Sequence, residues 1–233
     1  MKIRETDHGR FTSKEIIEAS FEEWIDFVFS KGETERDWIS GDDFPNWSVD
    51  AATTLEYIEK TFRESASVLA GFSNSQLSNG LNFIHNASHS DTVHLFQKGN
   101  LPLDRRLSCL QSIRFLYSDC FAKRCDNVLS NWNEVANPLN GVCYMWWDVF
   151  VIFDNGDSTE EKLLSNECIS VMKTALDIDH VACQESALHG LGHWQVDYSN
   201  EVSAIINDFL ESHPGLESEL RNYAKSAQRG CVQ

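Results

Sequence analysis

Cations are nearly missing from one long stretch of this 233-residue chain. Over residues 125–220 the only lysines or arginines are Lys162 and Lys173, against 17 carboxylates. That window carries a formal balance of −15 out of −17 for the whole chain; the remainder is close to neutral, with 19 acids and 17 basic residues. Like charges repel within a compact fold, so such a half must face solvent or a cationic partner. The same scarcity excludes a nucleic-acid binder, because phosphate contacts need clustered Lys and Arg. It also argues against docking on an anionic membrane.

Other scarcities narrow the class further. Four prolines and twelve glycines leave little loop material. No run of about 18 apolar residues exists, so no membrane span is expected. Residues Met1 to Arg10 are charged and lack an apolar h-region, so no signal peptide is expected; a cytoplasmic location is the expectation that goes with free thiols. Seven cysteines, with Cys120 and Cys125 the closest pair and no C-x-x-C, exclude a zinc ribbon or a disulfide framework and predict buried free thiols. There is no G-x-S-x-G elbow, no Walker loop and no G-x-G-x-x-G, which removes the common hydrolase and nucleotide classes. Neither a cofactor nor an enzymatic activity is expected on this reading.

What is present is core-forming material: 42% hydrophobic and 11% aromatic residues. The length suits one large domain or two small ones. Helical periodicity dominates. Thr12 with Glu15 reads as a capping box before a helix over about 13–30, with Ile17, Phe21, Trp24, Ile25 and Val28 on one face. Leu55, Ile58, Phe62, Ala66 and Leu69 predict a helix over 49–70 ended by Gly71. A shorter helix follows over 74–86, then a turn or two over 89–97, then a long helix over 103–128 announced by Pro102 and Asp104. Val142 to Phe153 has Asp148 as its only charge and predicts a segment buried on all sides, helical by its surroundings. The last third predicts helices near 159–177, 180–195, 199–212 and 215–228, joined by short connections that force antiparallel neighbours. The expected fold is all-α, with about nine or ten helices stacked as a HEAT-like solenoid or an irregular bundle. It forms a single domain over 1–233, with a possible division into 1–100 and 101–233.

Among groups that carry chemistry, Glu185, His189 and His193 recur at i, i+4 and i+8 of one predicted helix. Two imidazoles and a carboxylate on a stripe suit zinc or iron, with Asp197 or His180 as a further donor. Alternatively they make interhelical hydrogen bonds beside Gly190 and Gly192, whose lack of a side chain permits a close helix approach. His85, His89 and His94, with Asp91 nearby, read as a solvated helix end. Asp148 reads as a cap or as the partner of Arg105, Arg106 or Arg114; burial there would raise its pKa and suit a catalytic acid.

The acidic clusters suit a partner surface. Glu33, Glu35, Asp37, Asp42 and Asp43 surround Trp38, Phe44 and Trp47, combining charge that steers with aromatic groups that anchor. Asp154 and Asp157 form a second cluster with Glu160 and Glu161. Glu201, Asp208 and Glu211 share a helix face opposite Val202, Ile205, Ile206 and Phe209. Each also reads as an ordinary solvated surface.

Three segments are distinctive: Val142-Cys-Tyr-Met-Trp-Trp-Asp148, Cys183-Gln-Glu-Ser-Ala-Leu-His-Gly-Leu-Gly-His193, and Tyr-Ala-x-x-Ala-x-x-Gly from Tyr223 to Gly230. Across about the last 95 residues the chain resembles small bacterial all-helical immunity proteins with HEAT-like packing, from polymorphic or contact-delivered toxin systems. The resemblance implies a cytosolic protein that binds and blocks a cognate toxin; it carries over no catalytic residue. A basic, nuclease-like toxin is the partner expected for so acidic a chain. The alternatives are a metal-dependent helical enzyme built on Glu185, His189 and His193, and a helical-repeat scaffold holding a cellular peptide in a hydrophobic groove.

Overall fold

A computed structural model describes residues 1–7, 12–30, 45–97, 99–130, 136–150 and 158–232. Two strands open the chain: β1 (Lys2–Asp7) pairs antiparallel with β2 (Thr12–Glu18), which pairs in parallel with the two-residue β3 (Asn46–Trp47). The predicted first helix is therefore shorter than its apolar stripe suggests. Residues 13–18 are drawn into the sheet, where Arg4 pairs with Glu15 and Ile16 is wholly buried. Helix α1 spans Phe21–Phe29 and starts at a different capping box, in which Ser20 and Glu23 bond each other's backbone.

Most of the rest is helical. Helix α2 (Ala51–Arg63) is capped by Asp50; α3 is the single turn Ser65–Val68; α4 (Asn74–His85) begins at a Ser73/Gln76 capping box. The predicted helix over 49–70 thus breaks at Glu64, and Gly71 keeps an ordinary negative φ, unlike Gly230 with φ 69°. A 3-10 turn covers Asp91–Phe96. Helix α5 (Leu103–Phe115) passes into a π-helical segment, Leu116–Phe121, and then into the short α6 (Ala122–Arg124). The chain then turns, so the long predicted helix ends at Arg124 instead of 128. Asn137 and Asn140 fasten that turn: Asn137 Nδ2 donates to Arg124 O at 2.8 Å, and Asp126 N donates to Asn140 Oδ1 at 2.8 Å. Helix α7 (Pro138–Met145) carries Pro138 at its start, where a missing N–H costs nothing. The last four helices, α8 (Thr159–Leu176), α9 (Val181–Trp194), α10 (Ser199–Ser212) and α11 (Ser218–Ala227), lie within three residues of their predicted bounds. The described residues thus form eleven α-helices packed on one another as an all-α bundle, with one small three-stranded sheet.

Packing runs in two rows. Helix α2 packs on α5 and α5 on α8; α1 packs on α4 and α4 on α7. Helix α9 closes both rows, touching α7, α8, α10 and α11. One continuous apolar cluster runs from Ile16 to Val232. Within it, Trp146 meets Phe62 and Phe121 edge-on and stacks flat on the His85 imidazole at 4.3 Å. No helix of the described residues is long and apolar enough to cross a membrane.

Candidate functional site

Helix α9 positions the site because it is buried along nearly its whole length, Ala182 to Gly192. Two glycines make this possible. A Cβ on Gly190 would stand 2.6 Å from both Met172 Sδ and Trp147 Cβ, and one on Gly192 would stand 2.5 Å from Val232 Cγ1. A buried helix must satisfy its polar side chains internally. Glu185, wholly buried, accepts from Ser130 N at 2.6 Å. Ser186 donates to Cys143 O and meets Tyr117 Oη at 2.6 Å, joining α9 to α7 and to the π-helical segment. The first turn is capped from outside, by Asn127 Oδ1 accepting from Val181 N at 2.6 Å.

At the other end of α9 a compact polar cluster reaches the surface. His189 Nε2 lies 3.1 Å from His193 Nε2, and His193 Nε2 lies 3.2 Å from Asp148 Oδ1. One ligand atom from each of Asp148, His189 and His193 falls within 4.8 Å of the others. His189 is buried, whereas the side chains of His193 and Asp148 are 38% and 34% exposed. Behind His189, its Nδ1 lies 2.7 Å from Tyr223 Oη, and Tyr223 Oη lies 3.4 Å from Tyr144 Oη. The Tyr144 ring rests 4.3 Å from the His189 ring.

The electrostatics follow from depth. Burial, reinforced by the neighbouring His193, lowers the His189 pKa to about 4, so this imidazole is neutral near pH 7. Burial also pushes the Tyr223 phenol well above its ordinary value, as does its hydrogen bond with Tyr144. Tyr223 therefore keeps its single hydrogen. If it directs that hydrogen to Tyr144, it accepts Nδ1–H from His189. That tautomer leaves the His189 Nε2 lone pair facing His193 and Asp148. A hydrogen on His193 Nε2 can then go to His189 Nε2 or to Asp148 Oδ1, and a divalent ion in its place would meet two imidazole nitrogens and a carboxylate oxygen.

The predicted stripe is only partly brought together. His189 and His193 meet, but Glu185 is turned toward Ser130, and Asp148 supplies the carboxylate. Asp197 is exposed and outside the cluster. His180 sits near the other end of α9, 3.2 Å from Cys125 O. Asp148 pairs with no arginine among the described ion pairs: Arg105 lies 3.9 Å from Glu56 and Glu59, and Arg106 bonds Glu160 at 2.5 Å. Nor is His85 at a solvated helix end. It is fully buried, finds no partner for Nε2 among the described residues, and has its pKa lowered to about 4 by burial. Tyr144 and Tyr223 escape a reading of spacing, since 79 residues separate them. The signal was that they belong to two of the three distinctive segments, which converge here with the third.

The acidic surfaces divide differently. Glu33, Glu35, Asp37, Trp38, Asp42 and Asp43 lie outside the described residues, as do Asp154 and Asp157. Trp47 is described and half-buried; its indole N–H donates to Thr54 Oγ1 at 2.9 Å and its ring packs against Trp24 and Phe27. Glu201, Asp208 and Glu211 are exposed on α10, opposite the buried Val202, Ile205, Ile206 and Phe209. None of the described ion pairs involves them, nor Asp197, Glu217 or Glu219 nearby, all exposed. The nearest lysine or arginine in sequence, Arg221, donates instead to the carbonyls of His213 and Pro214. Comparison with protein-family models, with curated proteins and with solved structures gives no match in any of the three.

Proposed function

We propose that this chain is a non-enzymatic immunity protein that binds a basic, nuclease-like toxin and blocks it. The observation that carries the reading is the α10 face. Three exposed carboxylates, Glu201, Asp208 and Glu211, span about 15 Å of helix at 1.5 Å per residue and lie outside every described ion pair. The row is mounted on a packed helix, and no described ion pair cancels its field. Such a field raises the encounter rate with a cationic protein and rejects anionic ones. The apolar side of α10 is spent on the core, so the binding energy on this face comes from charge and polar contacts. The role places the chain in the cytoplasm, in keeping with six buried free thiols.

The test uses the product of the reading frame adjoining this chain's own, purified separately. Tight 1:1 binding that protects against the toxin's activity is expected. Absence of a complex, or a complex that leaves the activity intact, would remove the proposal.

A further inference from the structure

We infer that Asp148, His189 and His193 form a mononuclear site for a divalent transition metal, with zinc the ion its donors suit best. Three observations meet here. First, the spacing fits. Zinc holds imidazole nitrogen at about 2.0–2.1 Å in tetrahedral geometry, which puts neighbouring donor atoms about 3.3 Å apart. The His189–His193 nitrogens are 3.1 Å apart, and the His193 nitrogen is 3.2 Å from the Asp148 oxygen. The remaining edge, Asp148 to His189, lies within 4.8 Å, and Asp148 stands at the surface, where its side chain has room to turn toward an ion.

Second, the inner ligand is held from behind. Metal-ligating imidazoles usually bond a second group through the nitrogen that does not touch the metal, which fixes ring and tautomer. His189 Nδ1 does this with Tyr223 Oη at 2.7 Å, and the Tyr144 ring lies against its face. Third, His193 and Asp148 stand at the protein surface, which leaves an entry path and a fourth coordination position open to water or to a side chain of a bound partner. Two nitrogens and one oxygen favour zinc over magnesium or calcium, which take all-oxygen shells.

The experiment titrates zinc chloride into untagged, chelator-treated protein by calorimetry, with Co2+ absorption as a second readout. Wild type binds one equivalent saturably, and Co2+ loading gives the visible d–d bands of a low-symmetry site. Asp148→Asn and His193→Ala change exposed residues, so both fold, and each weakens zinc by at least tenfold. Tyr223→Phe weakens it about 10- to 100-fold through loss of the orienting contact. Asp197→Asn, next to the cluster in sequence but outside it, leaves the affinity unchanged. No saturable zinc binding by wild type would overturn the inference. So would Asp148→Asn and His193→Ala binding as wild type does, or Asp197→Asn losing as much as Asp148→Asn.

Discussion

Replacing Gly190 by alanine is a sharp test of how α9 is seated. The added Cβ would stand 2.6 Å from Trp147 Cβ and from Met172 Sδ. Relaxing to an ordinary contact of about 3.5–4.0 Å needs a displacement of about 1 Å. Met172 can swing its thioether away, but Trp147 Cβ moves only with its backbone, and the Trp147 ring is stacked on Tyr117. The helix must therefore back away from the segment after α7. Overpacking of this kind costs about 1–3 kcal/mol. Against it stands up to about 1 kcal/mol from alanine's better helix propensity. The net expectation is a loss of about 1–2 kcal/mol, or roughly 2–8 °C in Tm for a chain of this size. Gly141 supplies the control: it is exposed within α7, and a methyl group added there would meet nothing within 4 Å, so Gly141→Ala gains up to about 1 kcal/mol. Urea and thermal unfolding of both variants read the result. The reasoning fails if Gly190→Ala matches or exceeds wild-type stability, or if the two substitutions shift stability in the same direction.

His85 makes stability sensitive to acid. Its folded pKa, about 4, lies below the ordinary 6.5, so the unfolded chain takes up a proton that the folded one refuses. Stability is therefore lost as pH falls from about 6.5 to about 4, by up to about 3 kcal/mol, while His189 adds its own share. His85→Phe keeps a ring against Trp146 and should flatten the Tm-against-pH slope in that window; an unchanged slope would contradict the assignment. Thiol titration of folded protein should find one fast-reacting cysteine, Cys231, and all seven after denaturation. Cys183 is the next expected to react, since contacts from Cys143 and His180 lower its pKa, but its burial delays it. Glu201→Lys, Asp208→Lys and Glu211→Lys together should leave unfolding within about 1 kcal/mol of wild type, because exposed positions outside ion pairs contribute little to the fold.

The helices of the last third were legible because each carries an uninterrupted apolar stripe between short connections. The N-terminus misleads for a physical reason. Thr12/Glu15 and Ser20/Glu23 offer the same capping signature, and only pairing with Lys2–Asp7 and with Asn46–Trp47, contacts far off in sequence, decides that the first lies in a strand. The π-helical break at Leu116–Phe121 is invisible to periodicity, since Leu116, Tyr117, Cys120 and Phe121 are buried under either winding. At the site, the His189–His193 step was readable. Extending the stripe to Glu185 was not sound: each step of four residues turns about 40° past a full rotation, and eight residues rise about 12 Å. Glu185 is thus too far around and along the helix to share one ion with His193. The carboxylate that does reach them, Asp148, comes from another segment, which no helical spacing could reveal.

If α10 presents its carboxylates to a positively charged protein, association with that protein must weaken as salt screens the charges. Stopped-flow association of the chain with the adjoining reading frame's product, from about 20 mM to about 500 mM salt, tests it most directly. A steep fall of the association rate with salt is predicted for wild type, with a slower and flatter dependence when Glu201, Asp208 and Glu211 are all lysine. A rate indifferent to salt, or identical in the two proteins, would contradict it.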